Sequence, residues 1–295
     1  MIKFIWELRD WENNSKQQLH MRIDAHQHFW IYNPASHGWI NDEMAVIRKD
    51  FMPDDLMPIL NTHRIDGCIA VQADESMHEN ELLLKLADKY SFIKGVVGWA
   101  NLGAPAFNEQ IPFFKQFKKL VGFRCIMQGK DDELYLKNEI FIQHVASLSK
   151  WNYTYDLLVY HHQIPSLHKF VERLTDNKLM LDHIGKPDIK QKNFQSWKEN
   201  IQQLAQHPNI YCKLSGMITE ADYTQWKYED IVPYMDAIGE AFGAERICFG
   251  SDWPVCLVAA SYDKMIGVVE RWSSQFSTNE QDKIFGLNSI KFYNL

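Results

Sequence analysis

The feature that most constrains the fold is an alternation that runs through most of the chain. Short apolar runs recur eight times, and a stretch with helical spacing follows each of them. The runs that predict strands lie within 21–30, 66–72, 93–99, 120–124, 155–160, 178–183, 209–216 and 246–252. Helices are predicted to begin near 53 and to cover 79–90, 110–119, 138–150, 164–177, 196–206, 228–242, 262–274 and 279–292. Eight strand–helix units predict an α/β protein, a single (β/α)8 TIM barrel.

The main competing architecture is an open, doubly wound parallel sheet. A nucleotide-binding sheet of that kind carries a glycine-rich loop after its first strand, where this chain has His26-Gln-His28. No repeat, low-complexity tract or linker divides the sequence, so residues 21–295 are predicted to form one barrel. Residues 1–20 are charged throughout, lack the apolar region of a signal peptide and end just before Met21. We expect them to form a loosely attached, poorly ordered extension.

Composition excludes two classes of partner. The net charge is −7 at pH 7 and no basic stripe is visible, so nucleic acid is not expected as a partner. The sequence has no run of about 18 apolar residues, which predicts that no segment spans a membrane. The five cysteines form no CxxC pair and most lie in strand-like runs, which predicts reduced thiols in a cytoplasmic protein. A small-molecule substrate is the expected partner, and a homo-oligomer is compatible with the sequence.

Polar side chains collect where the predicted strands end. His26 and His28 are two residues apart, and because the side chains of a strand alternate faces, both should share a face with Asp24. Other strand ends carry Gln72, Trp99, Arg124, His183, Lys213, Ser215 and Asp252. Since the active site of such a barrel lies at the carboxyl ends of its strands, these residues are predicted to surround one site.

Each of these residues also has an interpretation without function. The two histidines of the first strand fit a surface turn, and His183 fits a buried histidine whose hydrogen bonds are satisfied. Asp252 fits the cap of an Asx turn, and Arg124 fits a bridge between barrel strands. For His161 and His162, which follow the fifth strand, we expect a loop or substrate role and not metal ligation.

Three motifs resemble those of a known family. They are Asp24-Ala-His-Gln-His-Phe-Trp, Leu181-Asp-His-Ile-Gly-Lys-Pro and Phe249-Gly-Ser-Asp-Trp-Pro, in this order. Together they resemble the amidohydrolase superfamily. Within it, the chain is similar to the branch of barrel hydrolases that includes sugar-acid lactonases of the L-fuconolactonase and L-rhamnonolactonase types. The resemblance covers residues 21–295.

The resemblance implies a metal site and its ligands. In the superfamily, a His-x-His pair, later histidines and an aspartate of the last strand surround one or two divalent metals. The matching positions here are His26, His28, His183 and Asp252. The chain departs from the pattern at the fourth strand, where Arg124 stands and no metal-bridging Lys or Glu is evident. The expectation is therefore one Zn²⁺ and not a binuclear centre, with metal-independent catalysis as the alternative.

The resemblance and the residue types together predict a hydrolase that opens a small sugar-acid lactone. Asp252 is expected to take a proton from the attacking water and to return it to the leaving alkoxide. The other predicted catalytic residues are His183, which would polarise the carbonyl group, and Arg124, which would hold a substrate oxygen or carboxylate. The predicted substrate-binding residues are Trp30, Gln72, Arg124 and Trp253.

Two other functions stay open at the level of sequence. One is a decarboxylase or amide hydrolase on the same barrel, acting on a small carboxylated substrate. The other is a barrel that binds a ligand without catalysis. No serine-centred elbow or Cys-His pairing is evident, so a covalent intermediate is not expected in any of these cases.

Overall fold

The computed structural model describes residues 20–295, so the predicted extension lies outside the described part apart from His20. Within residues 20–295, eight strands pair in parallel and in sequence order. Their bounds are β1 Ile23–Gln27, β2 Gly67–Val71, β3 Ile93–Gly98, β4 Leu120–Ile126, β5 Thr154–Leu158, β6 Leu179–Leu181, β7 Ile210–Leu214 and β8 Ile247–Phe249. This is the order that a (β/α)8 barrel requires.

An α-helix follows every strand, and two more end the chain. The helices are α1 Pro53–Thr62, α2 Met77–Lys89, α3 Phe107–Phe114, α4 Glu139–Ser147, α5 Ile164–Val171, α6 Phe194–Leu204, α7 Tyr228–Phe242, α8 Tyr262–Ser273, α9 Thr278–Asp282 and α10 Asn288–Tyr293. Local sequence explains where several of them begin. Pro53 occupies the first turn of α1, and the Asp55 carboxylate accepts a hydrogen bond from the Met52 N–H, 2.8 Å away.

The barrel closes where β1 meets the segment after β8. The Asp252 N–H donates to the His26 carbonyl oxygen at 2.8 Å, and the His28 N–H donates to the Trp253 carbonyl oxygen at 2.7 Å. A parallel bridge between Gln27 and Trp253 continues this pairing. We call these contacts the seam. The predicted TIM barrel is therefore confirmed, and its seam passes through residues of the predicted site.

Alternate residues of the strands pack in two separate parts of the core. Cys68 and Ala70 of β2 belong to the large core between the strands and the surrounding helices. Ile69 and Val71 of the same strand belong to a smaller cluster with Phe292 and Tyr293 of α10. This division is what a two-residue period produces when one face of a strand meets helices and the other faces the barrel interior.

Two sequence predictions that bear on partners and compartment can be compared with the structure. All five cysteines are buried and form no disulfide. Among residues 20–295, no helix has both the length and the apolar character needed to cross a bilayer.

The structure differs from the predicted elements at several ends. β6 and β8 stop at Leu181 and Phe249, because the chain then enters turns with left-handed backbone. The helix predicted at 110–119 is Phe107–Phe114, since tight turns at residues 113–117 redirect the chain into β4. The helix predicted at 279–292 divides into α9 and α10, with a π-helical segment, Lys283–Leu287, between them.

Candidate active site

Three of the four predicted metal ligands lie together at the carboxyl ends of the strands. His26, His183 and Asp252 each offer one nitrogen or oxygen atom, and these atoms lie within 4.8 Å of one another. The fourth residue, His28, lies beside them: its Nε2 atom is 3.2 Å from His26 Nε2 and 3.4 Å from Asp252 Oδ1. All four side chains are buried.

An irregularity in β1 separates Asp24 from the two histidines. The pairing of β1 with β2 shifts register between Asp24 and Gln27, and such a bulge breaks the alternation of side chains. The Asp24 carboxylate accepts hydrogen bonds from the Ser251 N–H at 2.9 Å and from the Tyr262 hydroxyl of α8 at 3.1 Å. The prediction that Asp24 shares a face with the histidines is therefore wrong: Asp24 joins β1 to the last strand and its helix.

The backbone fixes the orientation of His28. Its Nδ1–H donates to the Val71 carbonyl oxygen at 2.7 Å, at the end of β2. This hydrogen bond turns the other ring nitrogen, Nε2, towards Asp252. Metal-ligating histidines commonly have this arrangement, in which the ring nitrogen that does not face the metal donates to a backbone carbonyl oxygen.

A strained turn presents His183. The backbone of His183, Ile184, Gly185 and Lys186 has positive φ throughout, from 45° to 72°. L-residues pay roughly 1–2 kcal/mol each for this conformation, and such strain concentrates at functional sites. The His183 Nδ1 atom hydrogen-bonds with the Ser215 hydroxyl at 2.9 Å, so Nε2 faces Asp252, 4.0 Å from its Oδ1 atom.

Asp252 is held as a buried carboxylate among histidines. Its backbone also has positive φ, 58°. Burial alone raises the pKa of Asp252, but His183 and His28 outweigh burial and hold the pKa well below its usual value. Burial lowers the pKa of His183 to about 4, and it lowers the pKa of His26 well below the usual value. At neutral pH, the centre therefore combines an ionised Asp252 carboxylate with neutral imidazoles at His26 and His183.

Arg124 lies in the same buried space, but its guanidinium is already bound. Nη1 donates to Asp182 Oδ2 at 2.9 Å and lies 3.3 Å from His26 Nε2. Nη2 donates to the Gln72 carbonyl oxygen, and the Gln72 amide donates back to the Arg124 carbonyl oxygen at 3.0 Å. Arg124 thus connects β4 to the ends of β2 and β6, next to His26.

A second buried ion pair lies next to Asp182. The Lys213 Nζ atom of β7 lies 2.5 Å from Asp156 Oδ2, 2.9 Å from Asp182 Oδ1 and 3.2 Å from His26 Nδ1. The Tyr293 hydroxyl donates to Asp156 Oδ2 at 2.9 Å. Burial raises the pKa of Asp182, but Lys213, the contact with His26 and the charge of Arg124 outweigh burial, so the pKa lies well below its usual value. Two cations and two carboxylates therefore compensate one another inside the barrel.

The other predicted residues fall into different surroundings. Trp30 and Trp253 are buried: the Trp30 ring lies 6.2 Å from the His28 ring, and Trp253 packs on Phe51. Gln72 is bound to Arg124, as described above. His161 does not reach the ligand cluster; its Nδ1–H donates to the Lys186 carbonyl oxygen at 3.1 Å. Its neighbour in the sequence, His162, is exposed.

Three residues of the buried network, Asp156, Asp182 and Tyr293, were not predicted from the sequence. Asp156 and Asp182 carried a signal that was available: each is a carboxylate next to apolar residues in a strand-like run. A charge buried in such a run needs a partner, and Lys213 in β7 is another such charge. Tyr293 had no comparable signal, because only the folded chain brings α10 under the barrel.

The donor set fits a divalent metal of the zinc type. Two imidazole nitrogens and a carboxylate oxygen are zinc ligands, and three protein ligands leave a position open, as catalytic zinc sites do. His183 and His28 each use Nδ1 in a hydrogen bond and keep Nε2 for the centre. The Arg124 guanidinium lies 3.3 Å from His26 Nε2, so its positive charge lowers the affinity of the site for a cation and its N–H competes for the lone pair of that nitrogen.

Comparison with known proteins gives consistent matches over nearly the whole chain. The amidohydrolase family model matches residues 23–295. The L-fucono-1,5-lactonase of Burkholderia multivorans is 38% identical over 286 residues, covering 93% of this chain and 96% of that protein. The L-fucono-1,5-lactonase of Burkholderia ambifaria is 30% identical over 281 residues, with 93% and 96% covered. A crystal structure of an amidohydrolase from Burkholderia multivorans with bound zinc is 38% identical, with a TM-score of 0.90 and coverage of 93% and 99%.

Proposed function

The chain belongs to the amidohydrolase family, and on that premise we propose that it hydrolyses a small sugar-acid lactone of the L-fucono-1,5-lactone kind. The observation that carries the proposal is the buried cluster of His26, His28, His183 and Asp252 in a chain 38% identical to a lactonase of that name. The decarboxylase and amide-hydrolase alternatives receive no support from these relatives. Five buried free thiols support a reducing, cytoplasmic location.

Asp252 is proposed as the general base and acid. Its carboxylate lies at the centre of the three histidines, within 4.0 Å of a ring nitrogen of each. A water held there could lose its proton to Asp252 as it attacks the lactone carbonyl. The same proton can then pass to the ring oxygen as the ester bond breaks, which leaves a hydroxy acid and restores the carboxylate.

His183 and Arg124 are proposed to act on the lactone oxygens. Developing negative charge on the carbonyl oxygen is stabilised by hydrogen-bond donors and cations that are already in place. Arg124 supplies a buried cation beside His26, and the His183 Nε2 atom lies 4.0 Å from Asp252 Oδ1. Trp30, Gln72 and Trp253 are proposed to shape the pocket around the substrate.

The metal is part of the proposal. His26, His183 and Asp252 would hold one divalent ion, with His28 beside them. When bound, zinc lowers the pKa of a water ligand towards neutrality and polarises a carbonyl oxygen. Metal-independent hydrolysis by the same residues is the alternative.

One substitution tests the assignment of the base. Asp252→Asn keeps the size of the side chain and removes its ability to accept a proton. We expect most turnover of L-fucono-1,5-lactone to be lost, followed with a pH indicator as acid is released, while circular dichroism stays unchanged. The matched control is Asp263→Asn, an exposed aspartate on α8, which should retain full turnover. Undiminished turnover in Asp252→Asn would remove Asp252 from the mechanism.

A further inference from the structure

The left-handed turn that carries His183 also carries a lysine to which the sequence analysis gave no role. Lys186 is the fourth residue of the turn, and its N–H donates to the His183 carbonyl oxygen at 2.8 Å. The turn is held from outside by two hydrogen bonds. The Trp197 indole N–H donates to the Ile184 carbonyl oxygen at 2.9 Å, and His161 donates to the Lys186 carbonyl oxygen. The backbone therefore fixes Lys186 and His183 relative to each other.

The ammonium of Lys186 is paired but not fully enclosed. Its Nζ atom lies 2.8 Å from Glu220 Oε1, and both side chains keep 17% of their surface exposed. The Tyr160 ring lies on another side, with its centre 5.6 Å from the ammonium. Glu220 belongs to the loop after β7, so the pair bridges two loops at the carboxyl end of the barrel.

The pair lies close enough to the catalytic cluster for their charges to interact. Burial lowers the pKa of Lys186, but Glu220 and, more weakly, Asp252 outweigh burial and raise the pKa above its usual value. In turn, the charge of Lys186 contributes to the lowered pKa of His183, whose largest cause is burial. Lys186 therefore carries a positive charge at neutral pH, and the backbone hydrogen bond of the turn ties it to His183.

Together, Lys186 and Glu220 have the chemistry to recognise neighbouring hydroxyl groups. An ammonium offers three donors, of which Glu220 uses one, and a carboxylate has acceptor positions left over. A hydroxyl group both donates and accepts, so a pair of adjacent hydroxyls can accept from Lys186 and donate to Glu220 at once. Hydrogen bonds to charged groups are stronger than hydrogen bonds between neutral groups. The pair should therefore bind lactones with several hydroxyl groups more tightly than lactones without hydroxyl groups.

We propose that Lys186 and Glu220 form the subsite that binds the hydroxyl groups of the substrate and thereby select sugar lactones over unsubstituted lactones. The inference rests on the proposed lactonase function and deepens it. In this assignment, Lys186 and Glu220 touch the part of the substrate that does not react. His161 and Trp197 are positioning residues, because they hold the turn and not the substrate.

The test compares two lactones that share a six-membered ring: L-fucono-1,5-lactone, which carries hydroxyls, and δ-valerolactone, which carries none on the ring. For Lys186→Met, we expect kcat/KM for L-fucono-1,5-lactone to fall by about ten- to a hundredfold, mainly through KM. The kcat/KM for δ-valerolactone should stay near its original value. Glu220→Gln should show the same pattern more weakly, and Lys186→Arg should restore part of the loss. Lys190→Met is the matched control: this lysine follows on the same loop, is 58% exposed and should affect neither lactone.

An equal loss on both lactones would overturn the inference, since it would mean that Lys186 serves the turn or Asp252 and not the hydroxyls. A binding measurement separates this outcome from failure of the proposed function. L-fuconate, the hydroxy acid that hydrolysis would release, should raise the Tm of the unmodified protein, and Lys186→Met should abolish that shift. If neither lactone is hydrolysed but this pattern holds, the proposed reaction fails and the subsite stands. An equal shift in both proteins, or no shift in either, overturns the subsite.

Discussion

Arg124 and Asp182 form a buried ion pair beside His26, with 2.9 Å between Nη1 and Oδ2. Asp182 also lies 2.9 Å from the Lys213 ammonium, so one carboxylate compensates two cations from different strands. Inside a protein, a charge that has lost its partner is costly, because water cannot replace it. The pair therefore contributes to the stability of the barrel and also fixes the charged groups next to His26.

Asp182→Asn is expected to destabilise the protein strongly. The substitution leaves Arg124 and Lys213 without their shared carboxylate, and breaking a buried pair typically costs about 3–5 kcal/mol. The free energy of unfolding in urea measures this loss. The control is Glu139→Gln, which removes the carboxylate of the exposed pair with Arg173 and should cost at most about 1 kcal/mol. Similar losses for the two variants would contradict the prediction.

Glu79 should make stability fall as the pH rises. Burial raises the pKa of Glu79 to about 7, from an ordinary value of 4.5. Between these values the folded chain keeps a proton that the unfolded chain has released, so the folded state binds more protons and loses stability with rising pH. The loss amounts to about 3 kcal/mol in total and is complete above about pH 7.

Glu79→Gln isolates this effect from other titrating groups. Urea unfolding at pH 5 and at pH 8 gives, at each pH, the free energy of unfolding of the variant relative to that of the unmodified protein. This relative stability of the variant should be higher at pH 8 than at pH 5. Glu81→Gln, on the same helix but 58% exposed, should show no such gain. A difference that does not change with pH would mean that Glu79 does not titrate in this range.

Gly216 should not tolerate substitution, because it lies so close to His183 that there is no room for a side chain. Its φ is +65°, and a Cβ atom added there would lie 2.6 Å from His183 Nδ1. Gly243 has nearly the same φ, +62°, but an added Cβ would meet nothing within 4 Å. Gly243 has ψ 165°, a backbone conformation that is nearly exclusive to glycine, so Gly243→Ala should cost about 1–3 kcal/mol of stability and leave turnover unchanged. Gly216→Ala should cost more and should also lower kcat, which steady-state kinetics with the lactone can measure.

Metal content provides a test that does not depend on activity. After equilibration with zinc and removal of the excess, the protein should retain about one zinc per chain, measured by mass spectrometry of the metal. His183→Ala and Asp252→Ala should each lose it, while His162→Ala, which alters an exposed histidine near the same end of the barrel, should retain it. Equal zinc in all of these proteins would show that the metal binds elsewhere.

The sequence predicted the barrel and the residues at its carboxyl end for a simple physical reason. Buried parallel strands are apolar, so His183 and Asp252 are visible against the runs that precede them. The alternation rule failed at Asp24, because a register shift depends on how β1 pairs with β2 and not on β1 alone. The partners of Arg124 could not be predicted from the sequence either. Asp182 and Gln72 follow other strands and meet Arg124 only when the barrel closes.

The seam between β1 and β8 has a consequence for the order of events during folding. The segments that meet there come from the start and the end of the barrel, so their contacts enclose more than two hundred residues of chain. Contacts of this kind carry the largest loop-closure entropy and tend to form late. His26 and Asp252 are joined across that seam by a backbone hydrogen bond. Enzyme activity should therefore return after helical structure has already returned when the denatured protein refolds.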